Sequence, residues 1–114
     1  MLSRRMERLN DAIRDELADL LMHDVRDPKF QQLISVTSVE TAPDLSRSRV
    51  FVSVLADENE ANNTVAKLQR ATSFFRRELA ARLNLRKTPE IEFRLDRSIA
   101  EGAKINQLLR GLEA

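Results

Sequence analysis

The chain has no cysteine, tryptophan or tyrosine, and it has two glycines and one histidine among its 114 residues. Without cysteine there can be neither a disulfide framework nor a thiolate metal site. His23 is the single histidine, which excludes a metal site built on two histidines. Gly102 and Gly111 cannot form a glycine-rich phosphate-binding loop. We therefore expect no cofactor, no bound metal and no enzymatic activity.

Long apolar runs are also missing. No stretch approaches the roughly 20 apolar residues that a membrane-spanning helix needs. The N-terminal stretch turns acidic within a few residues and lacks the apolar centre of a secretion signal. The length suits one compact domain, and no Pro-, Ser- or Gly-rich linker divides it. We expect a single domain over residues 1–114, a cytoplasmic monomer that does not associate with membranes.

Positive charge is concentrated in one segment, although the net charge of the chain is only +1. Residues 62–87 contain seven cationic side chains and one acidic one, Glu78, so they carry +6 and the remainder sums to −5. The cationic side chains are Lys67, Arg70, Arg76, Arg77, Arg82, Arg86 and Lys87. A solvated helix face usually mixes both signs, so this segregation indicates binding to a polyanion. We predict that these seven residues bind RNA.

Two smaller basic groups are candidates for secondary RNA contacts. The first contains Arg4, Arg5 and Arg8, and the second contains Arg47 and Arg49. Acidic residues are interleaved with the first group, so pairing along the helix is an equally good explanation of its charge.

The first half of the chain predicts one helix and two strands. Near the N-terminus, apolar residues recur at spacings of three and four, which predicts an amphipathic helix that ends near Asp24. Two runs rich in β-branched residues, 33–39 and 47–55, flank Pro43-Asp44. They predict an antiparallel pair of strands joined by a turn.

The basic segment itself predicts two helices. Asn62 or Asn63 is a suitable cap for a helix that begins at Thr64. The weak helix formers Thr72 and Ser73 lie side by side in the middle of the apolar pattern and predict a break. Pro89 ends the second helix.

The last part of the chain predicts a strand and a helix. Apolar and charged residues alternate strictly over 91–95, which predicts a third strand. Ser98 and Glu101 have the spacing of a capping box, which predicts a short final helix.

The predicted order is αββααβα. A strand followed by two helices returns parallel to the previous strand, and a right-handed crossover places both helices on one face. The fold class is therefore α+β, with a three-stranded mixed sheet and helices packed on one face.

This order and several short strings are similar to those of the bacterial ribosome-binding factor A proteins, and the similarity spans nearly the whole chain. The strings are Asp27-Pro28, Leu85-Arg86 shortly before Pro89-Glu90 and Phe93, Asp96-Arg97-Ser98, Glu101-Gly102 and Leu108-Leu109.

The resemblance implies a KH-like domain of type II. It also implies a cytoplasmic assembly factor that binds the free, immature small (30S) ribosomal subunit and its 16S rRNA. Such a factor assists late rRNA processing and folding without catalysis. Family members have an Ala-x-Gly kink between the two basic helices, which corresponds here to Ala71, Thr72 and Ser73, with Ser73 in the glycine position.

Two other functions fit the residues. A general RNA-binding module would bind short RNAs as well as it binds subunits. A protein-interaction domain would bring the basic segment against an acidic partner.

Overall fold

The computed structural model describes residues 3–23 and 34–97. Over this part the elements are α1 (Arg4–His23), β1 (Ile34–Thr41), β2 (Arg47–Val54), α2 (Glu58–Arg70), α3 (Thr72–Leu83) and β3 (Glu90–Leu95). The order αββααβ matches the first six predicted elements. The predicted final helix, with its capping box at Ser98, and the Asp27-Pro28 string lie outside the described residues.

The three strands form one mixed sheet in the order β1-β2-β3. β1 and β2 are antiparallel, and β2 and β3 are parallel, as the crossover argument predicts. The turn between β1 and β2 contains Pro43 and Asp44, where the sequence places it, and the Leu45 N–H donates to the Ala42 carbonyl at 2.8 Å. The α+β fold class with a mixed sheet is confirmed.

The core lies between the sheet and the helices. Val50 and Val52 of the central strand are fully buried, and so are Ile13 and Leu17 of α1. Burial of each such side chain stabilises the fold by about 1.5–3 kcal/mol relative to exposure. α1 thus packs on the sheet with the apolar stripe that its sequence pattern predicts.

Phenylalanine side chains join α3 to β3. The Phe75 ring lies edge-on to Phe74 and to Phe93, with a centroid separation of 5.3 Å in both pairs. Phe75 and Phe93 are buried, and Phe74 is half-buried beside them. The rings are therefore part of the core, and mainly polar residues occupy the outer surfaces of α2 and α3.

The first basic helix begins earlier than its sequence predicts. Asp57, not Asn62 or Asn63, caps it, and the Asp57 Oδ1 accepts a hydrogen bond from the Glu60 N–H at 2.8 Å. Ala61 is buried, so the apolar stripe extends one turn toward the N-terminus and makes this earlier turn part of the packed helix.

The break between the two basic helices is present. It falls on Ala71, whose backbone angles are φ −99° and ψ 13°, and α3 resumes at Thr72. Ser73 lies in the first turn of α3, and among the described residues only Leu45 and Asn84 have positive φ. The bend therefore needs no glycine at position 73.

The outer edge of β3 is occupied by a side chain of α2. The Gln69 Oε1 accepts from the Phe93 N–H at 2.9 Å, and its Nε2 donates to the Ile91 carbonyl at 3.3 Å. Gln69 thus satisfies the backbone groups that a fourth strand would pair with. It also fixes the end of α2, next to the break, against the sheet.

Candidate nucleic-acid interface

The seven cationic side chains predicted to bind RNA differ in the contacts that they make within the protein. Four of them have exposed side chains and no hydrogen-bond or ion-pair partner within residues 3–23 and 34–97. These four are Lys67, Arg70, Arg77 and Arg86. An unpaired, solvated arginine or lysine can exchange water for a phosphate without first breaking a contact within the protein.

Arg82 is different, because carboxylates surround it. Its Nη1 lies 2.7 Å from Asp19 Oδ2 and 3.1 Å from Glu16 Oε2, both on α1. The Arg82 Nε lies 3.7 Å from Glu78 Oε2, one turn earlier on α3. The hydrogen bond from Arg82 holds the pKa of Asp19 below its ordinary value. Arg82 therefore fastens α3 to α1, and its charge is offset by acids.

Arg76 and Lys87 bond to neutral carbonyl oxygens. Arg76 donates to the Pro89 carbonyl at 3.3 Å and to the Thr88 carbonyl at 3.1 Å, which ties α3 to the loop before β3. The Lys87 Nζ donates to the Asp44 carbonyl at 3.1 Å and ties the same loop to the β1–β2 turn. A carbonyl does not cancel the cationic charge, so both residues retain it while their positions are fixed.

Charge changes sign along α2. Glu58 and Glu60 lie in its first turn, and Lys67 and Arg70 lie in its last turn. This arrangement complements the helix dipole at both ends and stabilises the helix. It also brings the two cations next to the break at Ala71.

Arg77 lies on the outer face of α3. It lies two positions after the buried Phe75 and two positions before the buried Leu79. Residues two apart lie on nearly opposite sides of a helix, so Arg77 points away from the core. Ser73, four residues earlier, and Ala81, four residues later, share this face and are exposed. Small neighbours leave the Arg77 guanidinium accessible to a large partner such as an RNA backbone.

The secondary candidates Arg47 and Arg49 lie on the sheet face opposite the helices. Their guanidinium groups are 3.4 Å and 3.9 Å from Glu92 Oε2. Arg94 also contacts Glu92, and hydrogen bonding from Arg94 is the main reason that the pKa of Glu92 lies below its ordinary value.

Charges on this sheet face balance over the three strands. Arg49 faces Glu40 on β1 and Glu92 on β3, while Arg47 faces Glu90 on β3. With Arg94, the described strands present three arginines and three glutamates on this side. The sheet face therefore lacks the excess positive charge of the helix break.

The other secondary group, Arg4, Arg5 and Arg8, is exposed in the first turns of α1. Within the described part of the chain, these three arginines form no ion pairs with neighbouring acidic residues, so such pairs do not explain the charge of this group. It is seen for Arg14, which lies 3.8 Å from Asp11 and 3.5 Å from Asp15.

The sequence did not reveal the contact between Thr37 and Asp96. Thr37 is the extra residue of a β-bulge in β1, and its hydroxyl lies 2.7 Å from Asp96 Oδ2, just after β3. The Asp96 N–H donates to the Val52 carbonyl at 2.7 Å. Asp96 directly follows β3 and contacts both β1 and β2. Within the motif Asp96-Arg97-Ser98, it therefore helps to hold the three strands together.

Within residues 3–23 and 34–97, no three His, Asp or Glu side chains are grouped closely enough to hold a metal ion. His23 is exposed, and its Nδ1 lies 3.0 Å from Asp19 Oδ1. None of the helices described is long and apolar enough to cross a membrane.

Comparisons with known proteins agree on one family. A family model described as Ribosome-binding factor A matches residues 5–109. A relative of that name from Acetivibrio thermocellus is 41% identical over 110 residues, which cover 96% of this chain and 89% of the relative. Another from Synechococcus sp. (strain WH7803) is 46% identical over 111 residues, covering 96% and 79%.

Solved structures lead to the same group. The crystal structure of ribosome-binding factor A from Thermus thermophilus superposes with a TM-score of 0.70 at 25% identity, covering 82% of this chain and 98% of that one. A homology model of the Thermus thermophilus factor, fitted into a cryo-EM map of its 30S complex, superposes with a TM-score of 0.60 at 25% identity, covering 85% of this chain and 97% of that one.

Proposed function

Because this chain belongs to the ribosome-binding factor A family, we propose that it is a non-catalytic assembly factor of the small ribosomal subunit. It binds free 30S subunits through their 16S rRNA, in the cytoplasm and as a monomer. Its contact surface is the pair of basic helices around Ala71. The relative whose coordinates are fitted into a 30S complex supports the small subunit as the partner.

One observation carries the proposal: Lys67, Arg70 and Arg77 are exposed near the helix break and have no partner among the described residues, whereas the arginines of the sheet face share carboxylates. A guanidinium group offers paired donors that match the two oxygens of a phosphate, and lysine adds a mobile point charge. This composition suits a folded RNA backbone. Arg86, exposed on the loop after α3, would add a further cationic contact.

The proposed mechanism is selective binding. A protein that binds one RNA conformation more tightly than another shifts the RNA toward the first by the difference in binding free energy. No catalytic group or energy source is needed. Binding to an immature conformation would hold the RNA there for processing, and maturation of the RNA would weaken the contact and release the protein.

Co-sedimentation tests the proposal with two matched double variants. Arg70→Gln with Arg77→Gln removes two charges beside the break, and Arg47→Gln with Arg49→Gln removes two charges from the sheet face. Arg82 is left intact because its loss would disturb the contact between α1 and α3. Circular dichroism checks that both variants fold.

We expect the wild-type protein to sediment with free 30S subunits in preference to whole ribosomes and naked rRNA, and to dissociate as salt increases. The Arg70 and Arg77 variant should lose most of this binding, and the Arg47 and Arg49 variant should retain it. Equal binding to every RNA would indicate a general RNA-binding module. Binding that survives RNA digestion would indicate a protein partner.

A further inference from the structure

A groove of about 760 Å³ lies at the end of the sheet that carries the β1–β2 turn. Three segments form it: the start of α1, the turn itself and the loop after α3. Its apolar lining residues, called the floor below, are Met6, Leu9, Pro43, Leu45 and Leu85. This volume is within the range of pockets that hold small ligands, about 300–1,000 Å³.

The rim of the groove is cationic. Arg5, Arg86 and Lys87 line it, and no carboxylate is among the described lining residues. Asp44, on the adjacent turn, accepts hydrogen bonds at Oδ1 from Ser46 N–H at 3.0 Å and from Ser46 Oγ at 2.7 Å, and it keeps its negative charge. Hydrogen bonds from Ser46 and, more weakly, the charge of Lys87 lower the pKa of Asp44, so this carboxylate partly offsets Lys87. The charges of Arg5 and Arg86 are not offset by any described lining residue.

The walls of the groove are fixed in place. The bond from Lys87 to the Asp44 carbonyl joins the loop to the turn, and Arg76 holds the same loop from α3. Leu45 has φ 62°, a conformation in which glycine or asparagine is the usual residue. A leucine at this position puts an apolar side chain on the floor despite the unfavourable backbone.

We propose that this groove binds one unpaired nucleotide of RNA, with the base on the apolar floor and the adjoining phosphates at Arg5, Arg86 and Lys87. The proposal rests on the proposed function, because the subunit RNA would supply the nucleotide. A phosphate backbone offers only hydrogen-bond acceptors, and the three cationic side chains of the rim offer only donors. A peptide backbone would present both, so RNA is the better match to this rim.

The site would add a second kind of recognition to the helix break. Unpaired and extruded bases are the features by which proteins distinguish single-stranded RNA from duplex. The break alone has phosphate-binding chemistry, which does not make that distinction. Together the two sites would favour an RNA segment that is not yet paired.

The test uses the full chain, a ten-nucleotide oligouridine and a ten-base-pair RNA duplex. The probes are fluorescence anisotropy and the NMR signal of the Met6 methyl group. The variant Leu45→Asn removes the apolar contact and suits the positive φ of this position, so it should fold at least as well as the wild type. Leu55→Asn, the same substitution at an exposed position after β2 and away from the β1–β2 turn, serves as a control.

We expect oligouridine, but not the duplex, to shift the Met6 methyl signal. Leu45→Asn should weaken oligouridine binding about tenfold, because the apolar contact between the base and Leu45 is lost. Leu55→Asn should leave oligouridine binding unchanged. A Met6 signal that oligouridine does not move would overturn the proposal. So would a shift caused by an acidic peptide of leucine and glutamate and not by RNA, since the groove would then be a protein-docking site.

Failure of this inference can be told apart from failure of the proposed function. If 30S binding requires Arg70 and Arg77 while oligouridine leaves Met6 unmoved, only the nucleotide site is wrong. If oligouridine moves Met6 but 30S subunits do not bind, the groove is real and the assembly-factor function is wrong.

Discussion

Arg82 donates to Asp19 Oδ2 at 2.7 Å, and this contact joins α3 to α1 across 63 residues of sequence. The Arg82 side chain is only 25% exposed, and Glu16 lies on its other side at 3.1 Å. A residue of the most basic segment therefore supports the fold. Its charge is indistinguishable in the sequence from that of Arg77, which has no such partner within residues 3–23 and 34–97.

Stability should fall in acid through the pair formed by Asp19 and Arg82. The pKa of Asp19 is lowered from 3.8, chiefly by the hydrogen bond from Arg82. A lowered carboxyl pKa stabilises the folded state above the unfolded-state pKa, and this contribution is lost as the pH falls through the folded-state value. Urea unfolding should show Asp19→Asn less stable than wild type at pH 6, with the difference shrinking as the pH falls below 3.8 and vanishing once it is below the lowered folded-state pKa.

A double-mutant cycle provides the control for this pH effect. In the background of Arg82→Gln, the substitution Asp19→Asn should have a smaller effect at pH 6 than in the wild type. An equal effect in both backgrounds would show that Asp19 acts through another partner, such as His23.

Arg77→Gln and Arg82→Gln should separate binding from stability. Arg77→Gln should weaken 30S binding and lower its salt dependence by about one phosphate contact, with stability changed by less than about 0.5 kcal/mol. Arg82→Gln should lower the free energy of unfolding by about 1 kcal/mol and alter binding less. Urea denaturation and co-sedimentation of both variants check this, and the reverse pattern would contradict the assignment.

Gln69→Ala should destabilise the protein and expose the edge of β3. The substitution removes both bonds to β3, at a cost of about 1–2 kcal/mol in the free energy of unfolding. Light scattering should also detect more self-association, because the backbone groups of Ile91 and Phe93 become available. Asn63→Ala, at an exposed position of the same helix, should do neither. Equal behaviour of the two variants would mean that Gln69 does not protect the edge.

Ser73→Gly should not improve the bend. The non-helical backbone falls on Ala71, and Ser73 is already helical, so glycine would only lower the free energy of unfolding by about 0.5 kcal/mol. Binding to 30S subunits should stay within twofold of wild type. A large gain in affinity would instead show that the Cβ of Ser73 keeps the RNA backbone at a distance.

Periodicity was sufficient to predict most of the fold. Val50 and Val52 alternate with charged or half-buried neighbours, and the apolar residues of α1 follow a helical stripe, so each element buries the face that its pattern indicates. The start of α2 was missed because Asp57 and Asn62 are both good caps. Burial of Ala61, a tertiary contact, decides between them.

The sequence was sufficient to locate the segment that forms the candidate site. It did not show which cationic side chains in that segment are free to bind a partner. Charge counting located the basic helices, but it gave Arg82 and Arg70 equal weight. The distinction depends on Glu16 and Asp19, which approach Arg82 only after α1 packs beside α3. The groove at the β1–β2 turn was also missed, since its floor comes from three separate segments.

The sign change along α2 gives the protein a permanent electric asymmetry despite its net charge of +1. A polyanion attracts a nearly neutral protein only weakly. If the charges of that protein are separated into a positive and a negative end, however, the field of the polyanion rotates it. The end of α2 at Ala71 would turn toward the RNA before contact, and the acidic end at Asp57 would turn away. A larger share of encounters would then begin in a productive orientation.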